Sequence, residues 1–278
     1  KDGSKKVLER HGYLHYELTQ HDLYYRGIEH PSLLDKLRHW TRLVFFKWIA
    51  HHKINLAAQF DCTVLLTEQD RQEYKGLENT EVIPNPITVL SEGKSLLLDK
   101  VILAVGRYTS QKNFTELVEI WAMIAKDYPD WILRIVGDGY EKEAICRAIR
   151  KYGLENQVEL LPFSNNIQEY YCKASIYTMT SIFEGFPLVL GEAESIGLPL
   201  IAYDCPCGPS DIIRDGEDGF LIPMHDKDAY SKALRRLIED ESLRKRMGAN
   251  AEKNSERFAL DAVMHQWEEL FSRLLATR

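Results

Sequence analysis

From residue 100 onward, short β-branched runs alternate with longer amphipathic stretches, and that alternation constrains the fold more than any other feature of the chain. Strand-like runs at 101–105, 131–136, 158–161, 175–179, 199–203 and 219–222 are separated by helical patterns at 113–128, 141–152, 186–196 and 226–238. Such a series builds βαβ units around a parallel sheet, so the spacing predicts an α/β, Rossmann-like doubly wound fold. Gly153 and Gly197 stand where helix C-termini want a residue at positive φ.

The first 85 residues follow a different plan. Strands are predicted at 6–9 and 62–67, with one long helical stretch at 31–60 between them. Thr67 reads as a helix cap with Asp70 at the reciprocal capping-box position. Pro84 and Pro86 favour extended backbone after that, and the polar residues 91–95 continue it as a linker. The expected organisation is thus 1–85, a linker at 86–97, a sheet domain at 98–258 and a packing or crossover helix at 259–278. Two or three strands make a poor core by themselves, because small domains bury a small fraction of their surface. With Lys1 in place of a starting Met, the first segment reads as the tail of a domain whose beginning is absent.

Charge narrows the partners. The chain carries 35 Lys and Arg against 42 Asp and Glu, a net charge of −7, which argues against a nucleic-acid binder. No run approaches the ~20 apolar residues of a membrane span, nor is there an apolar signal core, so a cytoplasmic location is expected. Cys62, Cys146, Cys172, Cys205 and Cys207 are scattered without a C-x-x-C pair, which suits reduced thiols rather than disulfides or a metal site.

Two stretches carry chemistry. Residues 105–114 (VGRYTSQKNF) take a strand into a helix and present Gly106, Arg107 and Lys112 at the sheet edge where open α/β folds bind ligands. Arg107 suits bidentate contact with oxygens and Lys112 adds a mobile point charge, a pair fitted to a diphosphate. Residues 184–192 (EGFPLVLGE) repeat the pattern: Gly185 allows close backbone approach, and Pro187 fits a first helical turn whose free amides favour an anion. Glu192 lies near the face of Leu188, while Glu194, rotated roughly 200° from it, points elsewhere.

These motifs, with GDGYE at 137–141, GLPLIA at 197–202, CPCGPSDII at 205–213 and DGEDGFLI at 215–222, resemble the family 4 retaining glycosyltransferases of the GT-B fold over roughly residues 60–275. The resemblance implies one complete Rossmann-like domain and part of a second. It implies transfer of a hexosyl group from a nucleoside diphosphate sugar, a UDP-sugar with a GDP-sugar as the alternative, to a saccharide or lipid-linked acceptor in polysaccharide synthesis. No metal or other cofactor is implied. Arg107 and Lys112 would bind the diphosphate, Glu184 the donor-sugar hydroxyls and Glu192 the ribose, with backbone amides around Phe186, Leu188 and Val189 touching sugar and phosphate. Front-side attack through an oxocarbenium-like state would retain the anomeric configuration. Residues 161–166 fall where the family places its base, and His11, ending the first strand, resembles a histidine near the reaction centre. Two rival readings are a sugar-nucleotide epimerase and a non-catalytic sugar-nucleotide-binding fragment. Finally, the helical stretch at 31–60 interleaves Lys36, Arg38, Arg42, Lys47 and Lys53 with Trp40, Phe45, Phe46 and Trp48, a pattern suited either to peripheral contact with an anionic inner membrane face or to a core helix without its partners.

Overall fold

The computed structural model describes residues 4–26, 31–87 and 93–276. Residues 88–92 of the expected linker and the chain's first three and last two residues lie outside them.

Two parallel sheets organise the chain. The smaller consists of β1 (Val7–Glu9), β2 (Cys62–Leu65) and β3 (Thr80–Val82) in the order β1-β2-β3. Between β1 and β2 run α1 (Tyr16–Arg26) and the 25-residue α2 (Leu33–Ala57). Ser32 starts α2 with a full capping box: its hydroxyl accepts from the Asp35 amide and the Asp35 carboxylate accepts from the Ser32 amide. At α3 (Glu68–Glu73) the expected box is only half made. Thr67 Oγ1 accepts from the Asp70 amide at 3.0 Å, but the Asp70 carboxylate turns away and accepts from the amide of Leu14 at 3.1 Å. That bond anchors the loop after β1, and burial pushes the Asp70 carboxyl up to about 6.

The larger sheet is β4 (Val101–Val105), β5 (Ile132–Val136), β6 (Val158–Leu161), β7 (Ile176–Met179), β8 (Leu200–Tyr203) and β9 (Gly219–Ile222), ordered β6-β5-β4-β7-β8-β9 and parallel throughout. Its strands are nearly continuous apolar runs because helices cover both faces. On one face α4 (Phe114–Ala122), α5 (Lys142–Tyr152) and α9 (Lys227–Glu239) bury Leu117, Trp121, Ile145 and Leu234. On the other, α7 (Leu188–Ser195) buries Leu190 and Ala193 beside Phe258. The helix expected over 113–128 stops at Ala122, and a 3₁₀ turn at Ala125–Asp127 completes the connection. Short helices α6 (Ile167–Cys172) and α8 (Pro209–Ile212) lead in and out of β7 and β8, and α10 (Glu241–Ser255) packs on α7. α11 (Leu260–Ala276) crosses to the smaller sheet, where Val263 and Leu270 pack with Val64 and Ile83. The opposite face of that sheet is covered by Leu14, Ala50, Ala57 and Tyr74.

Candidate active site

After β4 the chain winds outward through β5 and β6, then returns to pair β7 with the other side of β4. The loops that follow β4 and β7 therefore leave the sheet side by side, the switch point at which open α/β sheets bind ligands. They are tied together. The Ile182 amide donates to the Gln111 carbonyl at 2.8 Å, Gln111 Nε2 donates to the Phe183 carbonyl at 2.9 Å, and Thr180 Oγ1 donates to the Lys112 and Asn113 carbonyls. The loop after β5 closes the third side, with the Tyr108 amide donating to the Asp138 carbonyl at 2.8 Å. A Cβ at Gly137 would lie 1.9 Å from the Gly106 carbonyl oxygen, so only glycine lets these two loops touch.

These loops enclose a cleft of about 520 Å³ lined by Gly106, Arg107, Asp138, Asn165, Val189 and Glu192, among others. The Arg107 side chain is exposed at its rim and meets no carboxylate among the described residues. Lys112 instead pairs with Glu184, Nζ to Oε1 at 2.6 Å, with the two side chains only 15% and 9% exposed. The two loops thus share a buried ion pair across the switch point.

The turn bearing Glu184 is braced from behind. Its amide donates to the Pro206 carbonyl, and the Cys207 amide donates back to the Glu184 carbonyl at 3.1 Å. Pro187 occupies the N-cap of α7 rather than a position inside its first turn. Phe186 sends its ring into the core against Phe258, 5.4 Å between centroids, so only its backbone is available to the turn's open side. Along α7 the residues facing the cleft are Val189 and Glu192, three apart, whereas Leu188 points outward to solvent. Glu194 turns the opposite way, fully buried, and accepts from Asn254 Nδ2 at 2.8 Å.

His11 stands apart from these groups. Its imidazole is more than half exposed and sits 3.1 Å from Glu9 Oε1. The loop that carries it nevertheless reaches the turn, since a Cβ at Gly185 would come within 3.3 Å of Gly12 Cα, and Tyr16 stacks edge-on against Phe183. Phe163, Ser164, Asn165 and Ile167, just after β6, form the far wall of the cleft, overlapping the 161–166 segment. Sequence reasoning missed Gln111, which locks the loops, and Tyr171, whose hydroxyl donates to Glu192 Oε2 at 2.7 Å. Gln111 lies inside the 105–114 stretch but carries no charge to single it out, and Tyr171 lies outside every motif. Among the described residues no three His, Cys, Asp or Glu side chains converge as a metal site.

Two parallel-sheet units with a cleft at the larger one's switch point are the architecture of GT-B proteins. The sequence profile described as "Glycosyl transferases group 1" matches residues 93–254, and the chain belongs to that family. It is similar to an exopolysaccharide phosphotransferase of Streptomyces coelicolor, 38% identical across 80% of this chain and 24% of that protein. It also resembles the amylovoran biosynthesis glycosyltransferase AmsD of Erwinia amylovora, 36% identical across 75% of this chain and 61% of the relative. The chain therefore spans between about a quarter and three fifths of the length of these two relatives. Among solved structures, Staphylococcus aureus TarM, crystallised with fondaparinux, α-GlcNAc-glycerol and UDP, has the same fold at a TM-score of 0.72, with 24% identity over 80% of this chain and 46% of that one.

Proposed function

We propose that the chain carries the donor site of a retaining glycosyltransferase that moves a hexosyl group from a UDP-sugar to a saccharide or lipid-linked acceptor in glycan synthesis. The observation that supports this most is the joining of Lys112 and Glu184 at the switch point, beside a cleft that Arg107 and Glu192 line. Arg107 and Lys112 would hold the diphosphate and stabilise the negative charge that grows as it leaves, as donors aimed at developing charge do. Glu184, released from part of its ion pair, would accept from the sugar hydroxyls, and Glu192 from the ribose. Backbone amides from Gly185 to Val189 would line the sugar and phosphate. The bond from the anomeric carbon to the diphosphate would break as the acceptor oxygen attacks from the same face, which retains configuration. UDP is the preferred nucleotide because a protein of the same fold was crystallised with it.

We read residues 1–85 as the remaining acceptor side, with 98–258 as the donor domain and the loop of His11 facing the donor turn. Calorimetry with UDP, GDP and ADP and their sugars is the decisive experiment. UDP binding in a Lys112-dependent manner is expected, and failure of every nucleotide to bind would sink the donor-site reading. Binding without turnover against any acceptor would favour a non-catalytic fragment, and conversion of the sugar without transfer an epimerase.

α2 supports a reading of where the protein works. No helix among the described residues is long and apolar enough to cross a membrane. α2, however, exposes Leu33, Leu37, Trp40, Val44, Phe45 and Trp48 on one arc. At ~100° per residue, Lys36 and Lys47 flank that arc on one side and Arg38 and Arg42 on the other. An apolar stripe edged by cations fits an anionic lipid surface, in a chain that is acidic overall. Sedimentation with phosphatidylglycerol vesicles at low salt is expected to pull the protein down, and replacing Trp40 and Trp48 by alanine to release it. Equal recovery with phosphatidylcholine vesicles, or none with either, defeats the membrane assignment.

A further inference from the structure

Glu192 does not enter the cleft as a free carboxylate. Tyr171, on α6 and fully buried, donates its hydroxyl to Glu192 Oε2 at 2.7 Å; the Val189 carbonyl, at 3.5 Å, is a poor second acceptor. The Tyr171 ring is fixed in turn by Tyr177, 5.8 Å away between centroids and equally buried. A phenol that is sealed from water has one proton to give, and here a carboxylate receives it. Glu192 Oε1 receives no donor from the described residues. A half-buried glutamate on a helix would otherwise sample several rotamers, and each must be lost again when a ligand binds.

We propose that Tyr171 is a positioning residue that makes the cleft selective for ribose: by holding Oε2 it presents the remaining lone pairs of the Glu192 carboxylate, Oε1 foremost, to a vicinal diol. This rests on the donor-site reading above. A carboxylate has about four lone-pair sites, so one tyrosine bond leaves room for both ribose hydroxyls. A sugar lacking the 2′-hydroxyl leaves the pinned carboxylate partly unpaired, and sites built to bond a hydroxyl discriminate strongly against its absence. With the tyrosine hydroxyl removed, Glu192 is free to swing to other partners, and the penalty for deoxyribose falls.

The test compares UDP with 2′-deoxy-UDP by calorimetry on the intact protein and on Tyr171→Phe, which keeps the ring and its packing. Tyr171→Phe is expected to weaken UDP about five- to tenfold, the scale of a hydrogen bond to a charged group, while 2′-deoxy-UDP changes by less than about twofold. A purely structural role would weaken both nucleotides alike, and that outcome overturns the assignment, as does unchanged UDP affinity. Glu192→Ala supplies an independent check should the phenylalanine variant fold poorly: it should abolish the preference for UDP, and a preference that survives contradicts the proposal. If the unaltered protein binds neither nucleotide, the donor-site reading falls and the assignment with it; if it binds both equally, only the ribose assignment falls.

Discussion

Replacing Lys112 by alanine is expected to lower sugar transfer about 10²- to 10³-fold, the cost of removing a donor aimed at charge that develops in the transition state. The same substitution should weaken UDP much more than uridine, because the ammonium would meet the diphosphate and not the base. Lys112 is not idle in the free protein, though. It neutralises Glu184 at 2.6 Å in a setting where both side chains are largely buried. Removing one partner of a buried pair leaves an uncompensated charge and costs ~3–5 kcal/mol when the site is fully sealed, somewhat less where water reaches it as here. Loss of activity alone would therefore be ambiguous between catalysis and folding. The double variant Lys112→Ala with Glu184→Gln separates the two, since the amide removes the stranded charge. Its unfolding midpoint should recover towards that of the unaltered protein while UDP affinity stays low. Should UDP and uridine lose affinity equally in Lys112→Ala, the diphosphate role is wrong.

That ion pair also marks the boundary of what spacing reveals. Gly106, Arg107 and Lys112 after one strand and Glu184, Gly185 and Glu192 after another could each be placed at a strand end, because β-branched runs and glycines are local signals. Strands β4, β6 and β9 coincide with their expected limits for the same reason: each is an apolar run bounded by turn residues. The joining of the two loops through Gln111 and Thr180 depends on the return of β7 to β4, a tertiary event that no short pattern encodes. Asp70 shows how such an event overrides a local preference. A capping bond to Thr67 was available three residues away, yet its carboxylate serves the amide of Leu14, 56 residues distant, because the loop after β1 would otherwise bury an unpaired donor. Phe186 is similar: its motif suggested a ligand-facing turn, while packing against Phe258 claimed the ring. For Glu194 helical periodicity sufficed, since two positions beyond Glu192 on a helix must face away from the cleft.

The buried end of α7 has its own measurable consequence. Glu194 Oε1 shares the amide of Asn254 with Asp218 Oδ2, at 2.8 and 2.7 Å, and Glu194 Oε2 has no hydrogen-bond partner among the described residues. Arg257 and Arg214 face the cluster and favour the charged form, but burial outweighs them and the nearby Asp218 adds to it, so the Glu194 carboxyl is pushed up to about 8. Asp218 is raised as well, and Arg257 is lowered, again by burial. The folded protein thus keeps a proton on Glu194 that the unfolded chain, with an ordinary value of 4.5, releases. Between those two values the native state binds more protons than the unfolded state, so stability falls as pH rises through the window and levels off above it. At ~1.4 kcal/mol per unit of pKa, the integrated loss is on the order of 5 kcal/mol. Glu194→Gln keeps the shape and the oxygen that accepts from Asn254 but cannot ionise. Its urea midpoint should match that of the unaltered protein near the acidic end of the window and exceed it progressively towards about pH 8. Other titrating groups, such as Asp70 and Asp218, are common to both proteins and cancel in the difference. Parallel stability curves across the window would mean that Glu194 is already ionised in the fold, with Arg257 and Arg214 prevailing over burial.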